Sequence, residues 1–147
     1  MKTMKNFLLL LAAVFSFASC EKDEDKIYLS SIESGELVAT ESTVVLSQEN
    51  SNDIVLSLAW TKDALQISDP ALSAIDVTIQ TLQVSTTQDF SGVVSENVET
   101  SLSKAYTGAA LNALAKNIGA NPDVANNVYF RLAAQTGKNM TPVYSNV

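Results

Sequence analysis

The sequence predicts an all-β fold, a two-sheet sandwich of immunoglobulin or fibronectin type III shape, with a small β-barrel as the alternative. Three observations predict it. About seven short runs rich in β-branched or alternating apolar residues are separated by Asn, Asp, Ser, Gly and Pro turn signals. Only 17% of residues are charged, and Ser, Thr, Ala, Val and Asn are abundant, as β-structure prefers. Helical periodicity appears once, in one short helix near residues 108–118.

The elements follow in order. Glu36 to Thr40 and Thr43 to Ser47 read as one edge strand broken at Glu41-Ser42, and Gln48 to Asp53 as a polar turn. Asp53 to Thr61 is the clearest strand: Ile54, Leu56, Leu58 and Trp60 point one way, Val55, Ser57 and Ala59 the other. Lys62 to Ala74 reads as irregular, ending at Asp69-Pro70. Asp76 to Ser85 is a second strand, in which Val77 and Ile79 share one parity and Leu82 and Val84 the other. That pattern predicts a bulge or a change of sheet.

Thr86 to Asn97 reads as a polar loop with Phe90 and Gly92, and Val98 to Tyr106 as a weak strand. Ala110, Leu111, Leu114, Ala115 and Ile118 then recur at three- and four-residue spacing, with Thr107 placed to cap the start and Gly119 to close the end. After a turn at Asn121 to Asn127 comes a third strong strand, Val128 to Thr136. Its Val128, Phe130, Leu132 and Ala134 face inward, and Tyr129, Arg131, Ala133 and Gln135 outward. Gly137 to Asn139 is a hairpin turn, and Pro142 to Val147 begins a last strand that stops short. The expectation is a fragment, or a longer gene product.

The first 25 residues have a different logic. Lys2 and Lys5 precede an apolar run, Phe7 to Phe15, and then Ser16, Phe17, Ala18, Ser19 and Cys20. A charged start, a short apolar segment and small residues before a cut site are the marks of a secretory signal peptide, here residues 1–19. The single cysteine sits at the cut, where the ending resembles the bacterial lipoprotein pattern. On that pattern Cys20 is acylated, with palmitate-like chains. At about 0.8 kcal/mol for each buried methylene, two or three chains anchor a protein durably. The alternatives are an ordinary leader with an incidental cysteine and an uncleaved N-terminal anchor. Behind it, Lys22, Asp23, Glu24 and Asp25 resemble the acidic export tag of Bacteroidetes surface lipoproteins. Residues 20–35 are expected to form an acidic flexible tether, and 36–147 a single domain.

Composition excludes several functions. The formal charge is −7 and no basic cluster follows residue 25, so nucleic acid is an unsuitable partner. The sequence contains no histidine, which removes the usual general base and zinc ligand. Asp23, Glu24 and Asp25 lack the spaced donors and turn glycine of a calcium loop. Asp53, Asp63, Asp69, Asp76 and Asp89 fall in turns or at strand ends, and nothing singles out a pair for glycoside hydrolysis. The expectation is no enzyme, no cofactor and no metal. A glycan site would need an exposed aromatic platform. Trp60 shares parity with core residues, Tyr28 and Tyr106 have no aromatic neighbour in sequence, and Tyr129 is one outward Tyr on a strand. No glycan-binding residue is assigned.

Several segments together resemble a known family. They are Ser42 to Ser47, Leu58-Ala59-Trp60-Thr61, Asp76 to Gln80, Leu111-Asn112, Phe130-Arg131-Leu132 and Tyr144 to Val147. In this order and spacing they are similar to the N-terminal immunoglobulin-like domain of SusE-type outer-membrane lipoproteins. The resemblance implies a surface lipoprotein of a polysaccharide (starch-like glycan) utilisation system, beside a SusC-like porin and a SusD-like binding protein. Members of that family carry carbohydrate-binding modules after this domain, and the chain ends where those would begin. This domain is therefore expected to act as spacer or docking module, with polysaccharide held by modules absent here. A second expectation, from another class, is a structural or adhesive fimbria-like lipoprotein whose unfinished edge accepts a neighbour's strand.

Overall fold

The computed structural model describes residues 26–98 and 101–147. Among these residues the strands are β1 (Leu29–Glu33), β2 (Leu37–Ala39), β3 (Ile54–Trp60), β4 (Ala64–Ile67), β5 (Ile79–Ser85), β6 (Val94–Asn97), β7 (Ser103–Thr107), β8 (Tyr129–Gln135) and β9 (Val143–Tyr144). A helix, α1 (Gly108–Asn117), follows β7 directly.

The sandwich is there. A three-stranded antiparallel sheet, β2-β3-β7, faces a four-stranded one, β6-β5-β8-β9. The core between them takes Leu37, Leu56, Leu58, Trp60 and Tyr106 from the first sheet and Leu82, Val84 and Leu132 from the second, with Leu111 and Leu114 of α1 closing one end. Leu82, Val84 and Leu132 have no accessible surface. Burying a Leu or Val side chain fully is worth about 1.5–3 kcal/mol, so with no disulfide possible these residues carry the stability. The alternation read in β3 holds for Leu56, Leu58 and Trp60. Ile54 is exposed, because the β3–β7 register shifts between Ile54 and Leu56.

A third, two-stranded sheet, β1-β4, lies outside the sandwich pair, and it corrects two readings. Leu29–Glu33, placed in the tether, is a strand, and so is Ala64–Ile67 within the stretch read as irregular. Three contacts fix the base of this arm. Thr61 N–H donates to the Glu36 carbonyl (3.1 Å), Glu36 N–H to Thr61 Oγ1 (2.9 Å) and Gly35 N–H to Asp63 Oδ1 (2.9 Å). Gly35 has to be glycine, because a Cβ there would run into the Thr61 carbonyl.

Further corrections follow. Residues 43–47 form no strand. β6 occupies the end of the supposed polar loop, where Val94 to Asn97 pairs with β5. β5 neither bulges nor changes sheet, since its register with β8 runs unbroken from Ile79↔Gln135 to Ser85↔Tyr129. The apparent phase switch arises because Gln80, not an apolar residue, shares the core parity of Leu82 and Val84, and it is 6% exposed. The helix caps are as read: Thr107 Oγ1 accepts from Ala110 N–H at 3.2 Å, and Gly119 takes φ +80°. Asn146 then ties the ends of the fold. Its Oδ1 accepts from Leu37 N–H (2.8 Å) and its Nδ2 donates to the Leu37 carbonyl (2.7 Å), replacing a strand partner for β2.

Candidate functional site

Cys20 and the tag Lys22, Asp23, Glu24 and Asp25 lie outside the described residues. The aspartates weighed as acids do structural work. Asp69 accepts from Ala71 N–H, Asp76 from Thr78 N–H and Asp89 from Ser91 N–H, each two residues on, as Asx turns do. Asp63 ties Gly35 to Gln80, and the Asp53 carbonyl receives Gly108 N–H. Among the described residues no three metal-binding side chains gather.

Trp60 is core, as its parity predicts, at 5% exposed. Its indole N–H crosses to the opposite sheet and donates to Gln80 Oε1 (2.9 Å), while Gln80 Nε2 donates to Asp63 Oδ1 (3.1 Å). This satisfies the buried polar groups in series. Tyr106 is also buried. Its ring meets Phe130 at 6.2 Å, and its hydroxyl lies 3.4 Å from Glu96 Oε2, which pairs with Lys104 at 3.0 Å. Burial first, and then the Glu96 carboxylate, push the Tyr106 phenol well above its ordinary value. Tyr28 is exposed, with its backbone paired to Ser68 just before β1, and Tyr129 is half-buried.

The outer face of the four-stranded sheet holds a cluster that sequence reasoning did not assemble. Gln83 of β5 and Arg131 of β8 are register partners there, and Tyr144 of β9 stands opposite Ala133, two residues along. The Arg131 guanidinium carbon lies 4.0 Å from the centre of the Phe90 ring and 3.7 Å from that of Tyr144. The two rings make no contact with each other among the described residues, so they take opposite faces of the guanidinium. Arg131 Nε donates to Gln83 Oε1 at 2.8 Å.

Phe90 reaches this position at a cost. It has φ +54°, a conformation worth roughly 1–2 kcal/mol of strain for a bulky residue. The loop is built to hold it. Thr87 N–H donates to Ser85 Oγ, Thr87 and Ser91 hydroxyls meet at 3.2 Å, and Phe90 N–H donates to the Thr87 carbonyl. Hydrogen bonds from Thr87, and then from Ser91, hold the Asp89 carboxyl below its usual value. A stacked guanidinium returns about 0.5–2 kcal/mol. Outward parity marked Arg131, yet nothing local links it to Phe90 or Tyr144, which arrive from 41 residues before it and 13 after.

A groove of about 1300 Å³ opens between residues 41–46, α1 and residues 120–130, and it reaches Leu56 and Leu58. Its acidic and basic side chains Glu41, Lys116 and Asp123 make no ion pair among the described residues. It offers no reactive pair.

Compared with known families, the chain matches the family described as SusE outer membrane protein over residues 22–133. No curated protein and no solved structure matches it.

Proposed function

The chain belongs to the SusE outer membrane protein family, and from that membership we propose that it is a lipid-anchored, outward-facing component of glycan capture. The family is a non-catalytic part of outer-membrane Sus systems, which serve polysaccharide utilisation. The finer reading is that Cys20 carries the lipid and that the acidic run behind it directs the protein to the cell exterior. The sandwich then acts as spacer or docking module beside a SusC-like porin and a SusD-like protein, and a starch-like glycan is held elsewhere. The observation that carries the reading is the position of the only cysteine, directly after an apolar leader ending in small residues, within a chain of this family.

The test is made in the native membrane. Mass spectrometry of the N-terminal peptide should find Cys20 acylated and residues 1–19 gone. Exchange of Cys20→Ser should release the protein from the outer-membrane fraction. A Cys20 thiol found bare behind an intact leader would end the proposal. Affinity capture of the acylated protein should bring a porin and a glycan-binding protein with it, and capture of neither would remove the docking role.

A further inference from the structure

We propose that Arg131, clamped between Phe90 and Tyr144, is a binding subsite for the carboxylate of an acidic saccharide. The inference goes beyond a spacer role, and its failure leaves that role standing, since that rests on Cys20 and the family. Arg131 is the single arginine of the sequence; every other side-chain cation is lysine. Lysine is a compact point charge, whereas arginine presents a planar fork that matches a carboxylate through two parallel hydrogen bonds. Here both faces of that plane are covered by rings and one edge, Nε, is tied to Gln83.

What remains is the edge formed by the two Nη nitrogens. They have no acceptor among the described residues, no carboxylate pairs with them, and they are not among the buried unpartnered atoms. A ligand oxygen pair can therefore approach only in the guanidinium plane, which selects a bidentate oxyanion. The clamp also fixes the side chain before binding, so little rotamer freedom is left to lose. Phe90, 5% exposed and held at positive φ by the hydrogen bonds of its own loop, fixes one side of the guanidinium before any ligand arrives.

The surroundings favour a sugar as the bearer of that carboxylate. The same sheet face presents Thr81, Gln83, Ser95 and Gln135 by register, neutral groups that suit hydroxyls. Tyr144 packs on Arg131 yet is 44% exposed, which leaves ring surface on which a pyranose can stack.

The experiment titrates the purified full-length chain with trigalacturonate, maltotriose, triglutamate and sodium sulfate, read by NMR at the Arg131 Nε, Gln83 and Tyr144 signals. Trigalacturonate should shift all three in the millimolar range, and the other three probes should bind at least tenfold more weakly. Equal or tighter binding of triglutamate would transfer the site to acidic polypeptides, and equal binding of sulfate would reduce it to a general anion site. Either result overturns the proposal, as does absence of any shift. Arg131→Lys keeps the charge and should weaken trigalacturonate at least tenfold with an unchanged thermal melt; unchanged affinity overturns the proposal. Should that variant not fold, Tyr144→Ala, at an exposed position, decides: affinity should fall about threefold or more, and an unaltered affinity refutes the clamp.

Discussion

Replacing Gln80 by leucine tests how the two sheets are held in register. Gln80 is 6% exposed and stands among apolar neighbours, with its Oε1 on the Trp60 indole N–H (2.9 Å) and its Nε2 on Asp63 (3.1 Å). Leucine supplies similar bulk and removes a polar group, which alone would favour the folded state. Against that, the indole N–H loses its acceptor inside the core, at about 1–3 kcal/mol. Asp63 keeps Gly35 N–H at 2.9 Å and is only half-buried, so its loss is near the ~1 kcal/mol of an ordinary hydrogen bond. The new side chain returns part of this by burying more apolar surface, which leaves a net destabilisation of about 2 kcal/mol. Urea denaturation followed by far-UV circular dichroism measures it. The decisive quantity is the double-mutant cycle with Trp60→Phe, which removes the stranded donor. In that background Gln80→Leu should cost at least ~1 kcal/mol less, a coupling typical of contacting pairs. Additive effects, or a Gln80→Leu variant as stable as the parent, would show that the inter-sheet bond contributes nothing.

Two further outcomes are expected. The raised phenol of Tyr106 is neutral in the fold, so its contribution is fully present below the unfolded value of about 10 and is lost as pH climbs through the folded value. Stability should fall by up to ~1.4 kcal/mol per pH unit above about pH 10, and Tyr106→Phe should remove that slope in chemical denaturation at alkaline pH. At Gly108, the first residue of α1, Ala would favour folding by about 0.4–1 kcal/mol by stiffening the unfolded chain, yet a Cβ there would strike the Asn50 carbonyl. Gly108→Ala should therefore lower the melting temperature; a rise would mean that the turn at 48–53 yields easily.

The legible elements were those whose signal is local. β3, β8 and α1 each carry their period within ten residues, and Thr107 and Gly119 mark the helix ends by their own chemistry. β1 and β4 were hidden because Leu29 to Glu33 becomes a strand only by meeting residues 64–67, and nothing in LSSIE itself shows that partner. β5 misled for a different reason. A glutamine at a core parity position broke the apolar alternation, and its compensation is a tryptophan on the other sheet. The Arg131 cluster was illegible on the same ground, since three segments far apart in sequence converge on one guanidinium. Residues 43–47 show the converse: β-branched composition makes them look like a strand, but among the described residues no neighbouring strand pairs with them.

The position of β1 also bears on how the domain stands at a membrane. With the chain free as far as Gly35, a lipid on Cys20 would allow a reach of roughly 50 Å at ~3.3–3.6 Å per extended residue. Because β1 begins at Leu29 and its arm is fastened to the sandwich through Gly35, Glu36, Thr61 and Asp63, the chain is held from about residue 28 onward. The same arithmetic then gives at most about 30 Å, whatever the path of the intervening residues. A lipid-borne domain so tethered stays within about one small-domain diameter of the membrane surface. That is the range in which it can touch a barrel embedded in the same membrane, and it cannot sample the medium beyond. Inserting ten Gly/Ser residues after Asp25 would raise the limit by roughly 35 Å without touching any strand. If docking depends on this confinement, the insertion should weaken co-capture of the porin while leaving acylation of Cys20 and the thermal melt of the sandwich unchanged; undiminished capture would show that the short tether plays no part.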